Sequence, residues 1–450
     1  LRELVGSGAA IVGQLRPGEH AQGQYFCDAD VLRRIKRRSL AKLRHEIAAV
    51  DAATFARFLP AWQGVGDPAH GPARLLECIA TLEGLPIAYS ELEQSILPAR
   101  VPGFHTRMLD ELGAQGEIVW VGHGALGPGD GRIALYRRDR VGALLDAAVV
   151  PEGLDDVRRA ILDHLGTRGA SFVVELQRAA GADVRLAELE EALWDLVWAG
   201  LVTNDTMLPL RAFVGGAKGR AQAALRTGGG RWSLVRDLIG PEVGVTERAL
   251  ARAQMLLARY GLVSRDVLSL EAIEGGFAPI SRVLRELEDH GKVRRGWFVE
   301  GLGGSQFAAP GAVDRLRTLR QAPSGTSLVL AATDPAQPWG AMLPWPLREG
   351  SDRGGGPRRS AGASVVSVDG MPVLWIERGG KRLVTFPAAD DAAVLQIALR
   401  GLAKVAEQRR GKTLRIETID GEPARTSRFS QALRAADFEG DVRGLTLEVR

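Results

Sequence analysis

Three times along this chain the apolar pattern changes period in the same way. Short helical stretches lead to a stronger amphipathic helix, and that helix gives way to two strands around a glycine-rich turn. Helices repeat their apolar residues every three to four positions and strands every second one, so such a switch fixes the order of elements. The first instance runs from about Gly71 to Arg140, with a third helix expected near Thr106–Leu112, a cap at Gly113, and strands Glu117–Val121 and Arg132–Tyr136. The second runs from about Asp155 to Val214. Its third helix, Leu186–Ala199, is apolar at Leu189, Ala192, Leu193, Leu196 and Val197, closes at Gly200, and leads into a strand from Leu201. The third runs from about Thr246 to Pro310, with Ile280, Val283, Leu284 and Leu287 inward and a hairpin from Lys292 to Phe307.

Three helices followed by a hairpin make the winged-helix variant of the helix-turn-helix. From about Ser324 the texture changes to strand-like runs, Ser327–Ala331, Ser364–Val368, Val373–Glu377 and Arg382–Phe386, with Asp369-Gly370 as a hairpin turn and helices alternating with strands towards the end. The fold class expected is α+β: tandem winged-helix modules followed by a β-barrel-like mixed α/β domain. The divisions expected are an N-terminal segment at 1–70, modules at 71–150, 151–230 and 231–323, and the mixed domain at 324–450. The Gly-rich stretches Gly215–Gly230 and Ser351–Ala363 read as loops or linkers.

Composition narrows the function. At 450 residues, 45% apolar and 25% charged, the chain has the balance of a soluble globular protein, with no run of about 18 apolar residues to span a membrane. Two cysteines, Cys27 and Cys78, and seven scattered histidines give no metal-ligand spacing, so no metal is expected and a reducing cytoplasm fits. The start at Leu1-Arg2-Glu3 is read as a piece of a longer polypeptide.

Net charge is only +4, yet Asp28–Glu46 alone holds seven Lys/Arg against three Asp/Glu. On a helical wheel Leu32, Ile35, Leu43, Ile47 and Val50 share one face, and Arg33, Arg34, Arg37, Arg38 and Arg44 take the other. Guanidiniums clustered on one face suit a phosphate backbone, because each contact releases counterions; the rival reading is a solvated face. The third hairpin alternates Lys292, Arg294 and Arg295 with Trp297 and Phe298, which suits phosphate contact with stacking or strand separation. Arg137 and Arg138 form a basic exit from the first hairpin. In the second module Glu190, Glu191 and Asp195 would repel phosphate, so Trp194 and Trp198 between them read as a packing surface for another module or subunit.

Catalytic motifs fail on context. Gly122-His-Gly124-Ala-Leu-Gly127 imitates a dinucleotide fingerprint but leads into a strand instead of a helix. Gly411-Lys412-Thr413 ends like a phosphate-binding loop, but Ala406 stands where its first glycine belongs and a helix precedes it. One carboxylate, Asp334, lies near Trp339 and Trp345 in a Pro-rich loop; such a group could hold a flipped base and activate water, while the rival is a turn-capping Asp before Pro335.

The blocks Phe26–Leu40, Phe58–Gly64, Ile96–Val101, Gly116–Val121, Leu193–Asp205, Gly296–Gly301 and Thr333–Pro335, in that order, resemble the C-terminal region of the large helicase-related proteins of bacteria. The resemblance implies a superfamily 2, ATP-dependent, 3′-to-5′ DNA helicase acting in repair. Its motor, with ATP and magnesium, would lie outside this chain, and the region itself would bind single-stranded or tailed DNA and form homo-oligomers. The layout is also similar to winged-helix alkylpurine DNA glycosylases. Their Gln-x-Gln motif lies inside the fold, whereas Gln22-Gly-Gln24 precedes the first module. Asp334-Pro335 matches an Asp-Pro of their barrel, and base excision is the alternative activity.

Overall fold

A computed structural model describes residues 2–13, 24–45, 49–146, 148–215, 229–240, 243–271, 273, 276–321, 325–348, 356–407 and 411–449, with the side chains of the helix Ala29–His45 described up to residue 37. Gln22, Lys218, Arg220, Arg226 and Arg353 lie outside the described residues, as do the side chains of Arg38 and Arg44.

The first module places Gly71–Leu82, Tyr89–Ile96 and Arg107–Ala114 as its helices and pairs Ile87–Ala88, Gly131–Arg137 and Ile118–Ala125 in one sheet. Its third helix runs past Gly113, and the left-handed glycine that turns the chain into the hairpin is Gly116, at φ 75°. The third module repeats the plan with Val245–Tyr260, Arg265–Glu271 and Phe277–Asp289, and with strands Leu262–Val263, Gln306–Ala308 and Arg294–Gly296. In the second module Val202–Asn204 pairs with Trp232–Leu234. The Gly-rich stretch 215–230 therefore lies between partners of one sheet and does not join two modules.

The first hairpin is not a free wing. Four consecutive apolar residues, Ile118, Val119, Trp120 and Val121, are all buried. Strand alternation sends Ile118 and Trp120, with Ile133 and Leu135 opposite, into a core shared with the second module. Val119 and Val121, with Ala134 and Tyr136, enter a core shared with the third. Trp120 Nε1 donates to the Thr206 carbonyl at 3.2 Å across the first boundary. Across the second, the fully buried Arg259 donates to the carbonyls of Thr81 and Glu83 and pairs with Glu271.

The C-terminal domain stacks strands Ser327–Ala331, Ser364–Val368, Met371–Ile376, Arg382–Thr385, Thr418–Ile419 and Glu422–Pro423 in one sheet, antiparallel except for the fourth against the fifth. Asp369 and Gly370, at φ 51° and 85°, make the tight hairpin turn. The helix Ala392–Glu407 packs across this sheet and onto a smaller one built from Thr413–Ile416, Leu445–Glu448 and Glu439–Gly440. The expected barrel is instead a pair of open sheets. The six-stranded sheet begins at Ser327–Ala331 and ends at Glu422–Pro423, and those end strands do not pair with each other.

Candidate nucleic-acid interface

In the third module the strand Arg294–Gly296 pairs with Gln306–Ala308. The loop between them is held from inside by Gln306, which is fully buried. Its Oε1 accepts from the amides of Phe298 and Val299 at 2.8 and 2.9 Å, and its Nε2 donates to the carbonyls of Val299 and Leu302 at 2.8 and 3.1 Å. With Phe298 buried beneath it, Trp297 points outward and is 53% exposed. Lys292 and Arg294 are exposed, while Arg295 is half-buried and pairs with Glu288 at 3.3 Å.

The arginine helix, Ala29–His45, lies against this same wing strand. Asp28 caps it, its Oδ1 accepting from the amides of Asp30 and Val31 at 2.8 and 3.0 Å. Arg34, Lys36 and Arg37 are exposed, and Arg33 is tied to Asp30 at 2.6 Å in full solvent. Of the expected apolar face, Leu32 is half-buried, Ile35 is exposed and Val50 sits beyond the helix in a bridge to Val299, while Ile47 and the side chain of Leu43 lie outside the described residues. The wheel groups residues by face but cannot say whether anything covers that face.

The structure adds a surface that the charge pattern along the sequence does not single out. Arg282 and Arg285 lie on the outward side of the helix Phe277–Asp289, opposite the buried Ile280 and Leu284, and both are exposed. Their three-residue spacing is the signal that could have found them.

Other expected residues are engaged elsewhere. Arg137 is paired with the buried Glu83 at 2.9 Å, and Arg138 donates to the Leu238 carbonyl. Trp194 is buried, stacked on Trp198 at 5.4 Å between ring centres, tilted on Phe213 at 4.6 Å and edge-on to Trp232 at 6.1 Å. Trp198 in turn lies where a Cβ at Gly131 of the first hairpin would be, 2.3 Å from its ring. This cluster packs between the second module's elements and the first module, with Trp194 buried and Trp198 half-buried.

Asp334 is 1% exposed and held by both oxygens to the fully buried Arg100, at 2.6 and 2.9 Å, with the Ala336 amide at 2.8 Å. Arg100 also donates to Gln63 Oε1 at 2.7 Å. Neither oxygen is open to a substrate, so Asp334 is corrected from a candidate catalytic acid to half of a buried joint between the first module and the C-terminal domain. A different carboxyl, also buried with both oxygens engaged, borders a cavity. Glu91 lines a cavity of about 350 Å³, together with Ser90, Gln94, Asp130 and Arg378. Burial raises its pKa above the ordinary value, against hydrogen bonds from the Thr333 hydroxyl and the Gly362 amide.

Among the described residues no group of three or more His, Cys, Asp or Glu is placed to hold a metal ion, and no helix is long and apolar enough to cross a membrane.

Residues 50–138 and 242–328 match two family models, each described as a winged-helix domain of the large helicase-related protein. A Mycolicibacterium smegmatis protein named "Lhr helicase/ probable uracil glycosylase" is 38% identical over 97% of this chain and 31% of its own length. An Escherichia coli protein named "Lhr helicase/uracil glycosylase" is 32% identical over 94% of this chain and 30% of its own length. The chain thus spans about a third of the curated relatives it matches. Among solved structures, the Streptomyces sahachiroi DNA glycosylase AlkZ is similar at TM-score 0.49 and 16% identity, over 80% of this chain and 97% of that one.

Proposed function

This chain carries two winged-helix domains of the large helicase-related family, and from that premise we propose that it is a DNA-binding module whose contacts come from the third winged helix. The observation that carries the reading is the exposed set Arg282, Arg285, Lys292 and Arg294 on that module, none of them in an ion pair among the described residues, beside the arginine helix. The first module's hairpin and the second module's Leu186–Trp198 helix are buried against each other and cannot enter a groove. The reading includes an ATP-dependent, 3′-to-5′ helicase motor elsewhere in the polypeptide, binding ATP and magnesium there, and a role in DNA repair. Self-association is part of it through the family resemblance alone; a sedimentation mass that stays monomeric at rising concentration would remove it.

Binding should be salt-sensitive, because guanidiniums and ammoniums act here by releasing counterions. Charge reversal at Lys292 and Arg294, combined with Arg282→Glu and Arg285→Glu, is expected to weaken DNA binding strongly at low salt. Unchanged affinity would place the DNA elsewhere.

A second reading is base excision on uracil-containing or damaged DNA, favoured by the names of both relatives and by the Glu91 cavity. A carboxyl with a raised pKa beside an amide such as Gln94 suits proton transfer near a bound base. Incubation with a uracil-containing oligonucleotide and alkali cleavage tests it: abasic product from the native chain that disappears in Glu91→Gln supports it, and no product from the native chain ends it.

A further inference from the structure

We infer that the third wing and the arginine helix form one track for single-stranded DNA, with the Trp297 ring stacked on an unpaired base. This goes one step beyond the DNA-binding reading and rests on it.

Cations alone would serve duplex and single strand equally, since both present phosphates. What separates them is access to base faces, which a duplex hides in its stack. The wing and the helix beside it carry both kinds of contact. Arg34, Lys36, Arg37, Lys292 and Arg294 are exposed, and among the described residues none has a carboxylate within ion-pair distance. On the same wing Trp297 is 53% exposed, and on the neighbouring helix Val31 and Ile35 are 46 and 51% exposed. Apolar area set among cations gains nothing from phosphates and gains from unstacked bases.

The ring is also preorganised. Buried Phe298 and the four hydrogen bonds of Gln306 fix the backbone on its C-terminal side, and the wing strand fixes the other. No aromatic ring or guanidinium of a described residue stacks on Trp297. An uncovered ring on a fixed backbone costs little backbone freedom when a base stacks on it. The adjacent helix extends the cationic surface beyond the wing, which suits a flexible strand tracking across several phosphates. The same apolar residues could serve a protein partner, but a protein surface would have to bury five uncompensated positive charges.

The test is fluorescence anisotropy of the intact chain with an oligothymidylate and with a blunt duplex of equal length. Trp297→Ala is expected to weaken the oligothymidylate complex by roughly tenfold while the duplex changes by less than about twofold, and Trp297→Tyr to restore most of the loss. Arg34→Glu with Arg37→Glu should flatten the single-strand salt dependence by about 0.7 in log–log slope for each phosphate no longer neutralised. Since Trp297 is exposed, the unfolding midpoint should not move, which separates lost stacking from lost folding. Equal losses on both DNAs, no loss on either, or a change in sedimentation mass without a change in affinity would each overturn the track. If the Lys292→Glu/Arg294→Glu chain also binds both DNAs normally, the DNA-binding reading falls with it. If that chain loses both while Trp297→Ala loses neither, only the stacking track falls.

Discussion

Arg100 and Asp334 are 234 positions apart and meet with almost no exposure, two parallel hydrogen bonds joining the first module to the C-terminal domain. Each ion alone would be costly to bury, and together they are tolerated because Gln63 and the Ile96 carbonyl also accept from the guanidinium. Removing one partner strands the other, so Asp334→Ala is expected to lower stability by about 3–5 kcal/mol in urea unfolding; a loss under about 1 kcal/mol would show that water reaches the joint. Glu91 bridges the same two parts and carries a pH prediction. Burial raises its carboxyl above the ordinary 4.5. The native chain then holds this proton more tightly than the unfolded chain, so the contribution is fully present below 4.5 and lost as pH rises through the higher native value. Stability measured against pH should fall over that window, and Glu91→Gln should remove that part of the fall. Sequence alone could nominate Asp334 as a carboxylate near aromatics, but its partner lies in another module, and no local pattern announces an ion pair at that separation.

At the scale of elements, the helices and hairpins were legible and their surroundings were not. The period switch located the third helix of each module, the hairpins of the first and third and the first strand of the second, because backbone periodicity is a local property; the partner strand Trp232–Leu234 lies beyond a Gly-rich stretch and was not found. The run Ile118-Val119-Trp120-Val121 carries further information: a strand apolar on both faces is covered on both faces, and that sets it apart from an ordinary wing with one face in water. Gly122 marks how close that cover is. A Cβ there would lie 2.1 Å from the Val197 carbonyl oxygen, backbone that cannot swing aside. Gly122→Ala is therefore expected to destabilise the chain by roughly 1–3 kcal/mol, read as a lower urea midpoint. An unchanged midpoint would mean that the two modules part easily. The charge count misleads for a related reason. Arg137 sits beside Arg138 in sequence and reads as basic, but Glu83 neutralises it from the end of another helix. Only positions whose face stays uncovered, such as Arg282 and Arg294, keep their charge for a ligand.

For the molecule as a whole, the modules occupy different surroundings, and the proposed function divides between them accordingly. The first sheet serves as a spine, with the second module on one face and the third on the other, and the C-terminal domain is clamped to it through Arg100 and Glu91. Under the proposed DNA-binding reading, the three modules offer one open recognition surface among the described residues. A chain with three independent readers would bind DNA at several places, lose affinity in instalments and show a steep salt dependence. A chain with one reader loses nearly everything from one module. The first module supplies the discriminating control, because Arg107 is exposed on its third helix, pairing only with Glu111 one turn away at 2.9 Å. Arg107→Glu should leave DNA affinity within about twofold at any salt, whereas Arg282→Glu with Arg285→Glu should weaken it and reduce the log–log salt slope by about 0.7–0.9 for each phosphate no longer neutralised. A comparable loss from Arg107→Glu would mean that the first recognition helix also reads DNA, and that the spine is a second binding site.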